Sequence, residues 1–263
     1  MKLVWFLRSL LFVLFMAITV TPWGMTAVIL SIFIRGTPLY WFCIGWARLA
    51  IWGGWHIAGV RYRVQGWEHL PNGPVILTPK HQSAWETLAF TTLMPRPLCY
   101  VFKRELLWVP FFGWALGRLD MVHIDRSRRA EAWNKVAEQG KRFMDQGNWV
   151  IMFPEGTRTR RGSQGVYKGG AARLAIATGV PLLPIAVTSA KCWPRNAFIK
   201  KPGVIDVSIG PPIPVNGRDA DSLMREVETW VEAEMRRLDP EAYRGEAAST
   251  AAPRPTPPAP TAS

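Results

Sequence analysis

From Ser9 to Ile34 the chain carries no charged side chain for 26 consecutive residues. A helix needs about 20 apolar residues to cross a bilayer, so this stretch commits the N-terminal part to lipid or to a deep core. Pro22 and Gly24 fall near its middle and are expected to break it. Each half, at about 1.5 Å rise per residue, then reaches only about 18–20 Å and cannot span alone. A second apolar stretch, Leu39 to Val60, contains Trp41, Trp46, Trp52 and Trp55, with Arg48 as its only full charge. Lys2 and Arg8 precede the first stretch, Arg61 and Arg63 follow the second, and only Arg35 lies between them. Positive charge on both outer flanks predicts a helical hairpin anchored in the cell membrane, with both ends and the following domain on the cytoplasmic side. The hairpin either crosses the bilayer twice or dips into one leaflet. A cleaved signal peptide is the weaker reading, because hydrophobicity continues past Pro22.

The rest of the composition agrees with a lipid surface. Thirty-two Lys and Arg against 19 Asp and Glu give a formal net charge of +13, yet 49% of the 263 residues are hydrophobic and 14 are Trp. A disordered polybasic chain would be polar and poor in aromatics, so that class is excluded. Basic, Trp-rich and apolar together fit contact with anionic membrane lipid, since Trp and Lys/Arg favour the headgroup zone. A nucleic-acid partner would need aromatics interleaved with the basic residues on one exposed face. Instead Trp5, Trp23, Trp41, Trp46, Trp52 and Trp55 lie in the apolar N-terminal part, and no nucleic acid is expected. Cys43, Cys99 and Cys192 are far apart and have no zinc-site spacing. They read as reduced, structural thiols in a cytosol-facing protein, with no metal implied.

Three parts follow from these shifts: residues 1–60 as the anchor, 61–244 as the folded domain, and 245–263 as a disordered Pro/Ala-rich tail. Within the middle part, short apolar runs predict buried strands at Pro74–Thr78, Leu98–Phe102, Met121–Ile124, Trp149–Phe153, Leu182–Val187 and Val204–Ile209. Helical patterns cover Ala130–Gln146, Ala171–Thr178 and Asp221–Leu238. Strands alternating with helices predict an α/β fold whose central sheet is largely parallel.

Such a sheet gathers its chemistry beyond the carboxyl ends of its strands. After the first predicted strand comes Lys80-His81-Gln82-Ser83-Ala84-Trp85-Glu86. Five positions on a continuous helix is about 500° of rotation, so His81 and Glu86 would not share a face. They meet if His81 lies in the turn and Glu86 in the first turn of the next helix. The carboxylate can then fix the imidazole tautomer, which is part of a catalytic triad without the serine. Ser83 reads as local hydrogen bonding. After the strand Trp149–Phe153 comes Pro154-Glu155-Gly156-Thr157-Arg158. Gly156 allows a close turn, Arg158 offers a planar fork suited to phosphate, and Glu155 could hold the arginine or accept a ligand hydroxyl. Lys103 and Lys168 add positive charge at analogous junctions. The apolar segment Leu106–Leu116, interrupted by Pro110 and Gly113, reads as a buried helix.

Four ordered blocks carry a resemblance: His81 with an acid after four residues, Lys103-Arg104-Glu105-Leu106 with Pro110 and Gly113, Phe153-Pro154-Glu155-Gly156-Thr157-Arg158, and Val180-Pro181-Leu182-Leu183-Pro184. Over about residues 61 to 210 the chain resembles the glycerolipid acyltransferases, most of all their 1-acyl-sn-glycerol-3-phosphate (lysophosphatidate) branch. The family pattern has Asp where this chain has Glu86. The resemblance implies an enzyme of phospholipid biosynthesis that moves an acyl group from acyl-CoA, or from acyl carrier protein, to the sn-2 hydroxyl of lysophosphatidate. It implies no cofactor beyond that thioester. It also implies His81 as general base, Glu86 as its orienting acid, Arg158 on the acceptor phosphate with Lys103 assisting, and Glu155 and Gly156 shaping the acceptor site. Arg126 is a second phosphate candidate and Lys168 a further substrate contact, while Leu106–Leu116 becomes a wall for the acyl chain or a membrane-facing patch. Other acceptors on the same fold (glycerol-3-phosphate, another lysophospholipid or a lyso-aminolipid) and a non-catalytic membrane-binding relative are the alternatives.

Overall fold

The computed structural model describes residues 1–124 and 129–244. The chain opens with helix α1 (Lys2–Leu30) and helix α2 (Thr37–Gly53), then continues to strand β1 (Val60–Gln65). Strand β2 (Ile76–Pro79), helix α3 (Trp85–Leu93) and strand β3 (Leu98–Lys103) follow. Then come a short helix α4 (Phe112–Leu116), strand β4 (Val122–Ile124), helix α5 (Arg129–Asp145) and strand β5 (Trp149–Ile151). Helix α6 (Gly170–Thr178), strands β6 (Leu182–Val187) and β7 (Gly203–Ile209), and helix α7 (Ala220–Leu238) complete the order.

The seven strands form one sheet in the order β1-β7-β6-β2-β5-β3-β4. From β6 to β4 all neighbours are parallel, while β7 runs antiparallel to β6 and β1 follows β7 in parallel. The expected α/β fold is therefore present. Its strands are apolar on both faces because both faces are covered. Along β3, Leu98, Tyr100 and Phe102 pack into one core layer and Cys99 into the other; along β2, Leu77 and Ile76 divide in the same way. The first layer holds residues of α1, α2 and α3, and the second holds residues of α5, α6 and α7.

Two expectations need correction. Helix α1 does not break at Pro22 and Gly24: it is continuous for 29 residues, about 43 Å at the α-helical rise. Pro22 lacks the N–H of a helix interior, a cost of about 3 kcal/mol in isolation. Tertiary contacts at that point hold the helix. Trp23 Nε1 donates to the Phe42 carbonyl at 3.0 Å, its ring stacks on Phe42, and Gly24 lies so close to the backbone of Phe111 that a Cβ would come within 3.0 Å. The segment Leu106–Leu116 is not a buried helix either. A 3-10 turn (Arg104–Trp108) leads to α4, and Trp108, Val109 and Trp114 are exposed. Smaller differences are that β5 ends at Ile151 rather than Phe153, and that β1 joins the sheet at an edge the sequence reading left empty.

The expected hairpin of two helices is present, and it is docked along its length. Arg8 Nε donates to the Ile57 carbonyl at 2.7 Å, and Ser9 Oγ accepts the Lys200 N–H at 2.8 Å. Phe12 meets Trp193 edge-on. On the far side of α1, Leu7, Leu11, Leu14 and Ile18 are exposed at helical spacing, with Met25 and Ile29 beyond them.

Candidate active site

Strands β6, β2, β5 and β3 are parallel neighbours, so their carboxyl ends share one edge of the sheet. That edge brings together His81 after β2, the segment 153–159 after β5, Ser189 after β6, and Lys103 as the last residue of β3. Pro79 closes β2, and the next residues turn into α3.

His81 lies in that turn and Glu86 is the second residue of α3. His81 Nδ1 is 3.2 Å from Glu86 Oε2, and both side chains are buried, with 11% of the imidazole exposed. The two groups therefore meet as the spacing required. Glu86 also accepts the backbone N–H of Gln82 at 3.2 Å and of Ser83 at 3.0 and 2.9 Å, and the hydroxyl of Ser189. These bonds tie the carboxylate to the turn that precedes α3. Ser83 Oγ accepts the Trp85 N–H at 2.8 Å, which is local hydrogen bonding. The extra methylene of Glu lets one carboxylate hold this turn and still touch the imidazole. Because that carboxylate accepts, Nδ1 donates, and the lone pair sits on Nε2.

The segment 153–159 holds His81 from the other side. Phe153 stacks on the imidazole with ring centroids 3.8 Å apart. Glu155 Oε1 accepts the His81 N–H at 2.8 Å, while Thr159 donates to the His81 carbonyl from its N–H at 2.8 Å and from its hydroxyl at 3.1 Å. The Glu155 carboxylate is fully buried and turned inward to His81 and the Lys80 ammonium. Burial pushes its carboxyl above the usual carboxylate range, against the opposing pull of Lys80 and the His81 N–H. Gly156 adopts φ 66°, where a side chain is strained, and the Lys168 ammonium end lies where a Cβ would be, 2.8 Å away.

Arg158 is half-buried and lines an apolar cavity of about 380 Å³. The other walls come from Trp23 of α1, Ile44 of α2, Thr87 and Leu88 of α3, and Phe112 of the 106–116 segment. Ala84, two residues before Glu86, also lines it. The cavity therefore runs between the N-terminal hairpin and the turn that carries His81, with one cation at its wall. Lys168 is exposed on the loop after β5. Arg126 lies outside the described residues, and Lys103 is described only as the end of β3. Among the described residues no group of three or more His, Cys, Asp or Glu is placed to hold a metal ion.

The sequence reading missed Lys80, Thr159, Ser189 and Glu232. Glu232 had a visible signal: it sits beside Val231 and three residues before Met235 on the buried stripe of α7, where an acid needs a partner. The partner is Lys80, 2.6 Å away. Ser189 and Thr159 gave no local signal, because their roles arise from strand order.

The acyltransferase family profile matches residues 61–188 of the chain. The 1-acyl-sn-glycerol-3-phosphate acyltransferase of Pseudomonas aeruginosa is 39% identical over 238 residues, covering 89% of this chain and 92% of that one. The 1-acyl-sn-glycerol-3-phosphate acyltransferase of Escherichia coli K12 is 35% identical over 184 residues, 67% of this chain and 73% of its own. In fold, the chain is similar to the crystal structure of the 1-acyl-sn-glycerophosphate (LPA) acyltransferase PlsC from Thermotoga maritima, with a TM-score of 0.73 over 89% of this chain and 95% of that one at 23% identity. With this extent of identity and this sheet carrying His81 and Glu86 on its central turn, the chain belongs to the acyltransferase family.

Proposed function

We propose that the protein transfers a fatty acyl group from an acyl thioester to the free sn-2 hydroxyl of 1-acyl-sn-glycerol-3-phosphate, giving phosphatidic acid for phospholipid synthesis. The observation that carries this reading is the His81 imidazole, held by Glu86 at 3.2 Å in a turn that borders an apolar cavity with Arg158 in its wall. That combination suits a reaction joining an acyl chain to an anionic alcohol. The relatives named above, 39% and 35% identical, carry the same activity in their names.

In the proposed reaction the acceptor hydroxyl gives its proton to His81 Nε2 as its oxygen attacks the thioester carbonyl. A tetrahedral intermediate forms and collapses, the C–S bond breaks, and the imidazolium returns the proton to the departing thiolate. Glu86 keeps the imidazole in the tautomer that can accept, and its charge stabilises the imidazolium. General-base help of this kind contributes about 10²–10⁴ in rate. Placing both substrates against one another supplies much of the remainder. Arg158 suits the acceptor phosphate as a bidentate fork, with Lys168, Lys103 and Arg126 as further candidate cations.

The long apolar helix α1, exposed along Leu7, Leu11, Leu14 and Ile18, supports attachment to a membrane. Its inner face is docked on the domain along its length, which favours lying in one leaflet over crossing the bilayer. The cavity beneath α1 and α2 would then open toward the layer in which both substrates dissolve. The test is a panel of acceptors (lysophosphatidate, glycerol-3-phosphate, lysophosphatidylethanolamine and a lyso-aminolipid) with acyl-CoA and acyl carrier protein as donors. Lysophosphatidate turning over fastest supports the reading; transfer only to an uncharged or zwitterionic acceptor overturns it.

A further inference from the structure

We infer that Lys80 is a positioning residue for the proposed base, and that helix α7 reaches the reaction through it. The inference rests on His81 acting as that base. Lys80 is fully buried; its ammonium donates to Glu232 Oε1 of α7 at 2.6 Å and to the Ser163 carbonyl at 3.1 Å, and it is ion-paired with Glu155 Oε2 at 3.2 Å. Glu155 uses its other oxygen to accept the N–H of His81 at 2.8 Å. The path is therefore short and entirely polar: Glu232 to Lys80, Lys80 to Glu155, Glu155 to the backbone of His81.

The loop between β5 and α6 closes over this path and ties it to α7. The Tyr167 hydroxyl donates to Glu232 Oε1 at 3.0 Å, Gln164 donates to Glu228 at 2.6 Å, and the Arg161 guanidinium makes a two-pronged pair with Asp239. A Cβ on Gly165 would lie 2.8 Å from Glu155 Oε2, so the loop backbone seals the carboxylate from above. A buried ammonium between two carboxylates is a poor device for stability alone, since desolvation offsets much of the attraction. It is a good device for direction. With Lys80 in place the Glu155 carboxylate has one orientation, and with Thr159 on the His81 carbonyl both peptide groups of His81 are fixed. The imidazole is aimed by its backbone as well as by Glu86.

Removing the ammonium leaves Glu155 free to turn or to take a proton, and His81 loses one of its two backbone restraints. A displacement of about 1 Å at a reacting group can lower the rate about a hundredfold without touching substrate. The test compares Lys80→Met, Glu232→Gln and the double variant Lys80→Met/Glu232→Gln with the wild type and His81→Ala. Each is assayed in detergent–lipid micelles, with the folded fraction measured by circular dichroism and thermal melting. Lys80→Met is expected to lower kcat per folded molecule by about tenfold to a hundredfold while both KM values stay within about twofold. Glu232→Gln keeps an acceptor oxygen and is expected to lower kcat by less. The double variant removes the counter-charge as well; it should fold where Lys80→Met does not, and remain slow. A structural role alone would lower the melting temperature and leave kcat per folded molecule intact. Wild-type kcat in folded Lys80→Met or in the double variant overturns the inference, as does a change confined to KM. If neither folds, Glu232→Gln decides, and wild-type kcat there overturns it. An active His81→Ala would remove the base itself, whereas inactive His81→Ala beside a fast Lys80 variant removes only the positioning role.

Discussion

Glu86 Oε2 reaches His81 Nδ1 at 3.2 Å from the first turn of α3, while the same carboxylate accepts the Ser83 N–H of the preceding turn at 2.9 Å. One side chain thus holds the turn and orients the imidazole in it. The two tasks have different reach. Glu86→Asp shortens the side chain by a methylene, so it can serve the turn or the imidazole and not both. A tenfold or greater loss of kcat is expected, with some activity retained. Glu86→Gln keeps the length but replaces the carboxylate by an amide whose NH2 can donate to Nδ1, which favours the wrong tautomer; a comparable change in a serine-protease triad costs about 10⁴. Steady-state kinetics of the two variants should therefore rank Asp above Gln, and equal wild-type rates in both would remove the orienting role.

Arg158→Lys replaces a planar fork by a point charge at the cavity wall. The acceptor KM should rise by about tenfold while the donor KM changes little. An unchanged acceptor KM would place the phosphate elsewhere.

Much of this arrangement is legible in the amino-acid sequence. Leu98–Phe102 and Leu182–Val187 stand out because helices cover both faces of the sheet, making these runs apolar without interruption. The turn and helix that bring His81 and Glu86 together were implied by a five-residue offset that no continuous helix could use. What escaped the sequence depends on partners far along the chain. Pro22 would end an isolated helix and does not, because Trp23 and Gly24 are held by Phe42 and Phe111. Strand β1, Val-Arg-Tyr-Arg-Val-Gln, alternates polar and apolar residues at a sheet edge and resembles a flank of the preceding apolar run. The resemblance implies Glu155 as shaping the acceptor site, and nothing beside it in the sequence marks its burial. Its inward direction needs Lys80, which lies in the turn after a different strand.

That inward direction has a pH consequence. Burial raises the Glu155 carboxyl above its ordinary value of 4.5, so the native state holds this proton more tightly than the unfolded chain does. Its contribution to stability is therefore full below pH 4.5 and is lost as the pH rises through the higher native value. Glu155→Gln removes the titration. Denaturant midpoints measured from about pH 4.5 upward should fall more steeply with pH in the wild type than in Glu155→Gln. Parallel curves would contradict the assignment.

The outer face of α1 makes a separate claim. Leu11 and Ile18 are exposed and seven residues apart, hence on one face of the helix. Leu11→Lys/Ile18→Lys should release the protein from vesicles of mixed zwitterionic and anionic phospholipid in a flotation assay while circular dichroism stays unchanged. Undiminished flotation would mean that the membrane contact lies on another surface.

The account depends most directly on His81. Transfer of a labelled acyl group to lysophosphatidate should be compared in wild type and His81→Ala at equal folded concentration. The account predicts a loss of at least about 10²–10⁴ in kcat with an unchanged thermal melt. Turnover by His81→Ala within tenfold of the wild type would contradict it.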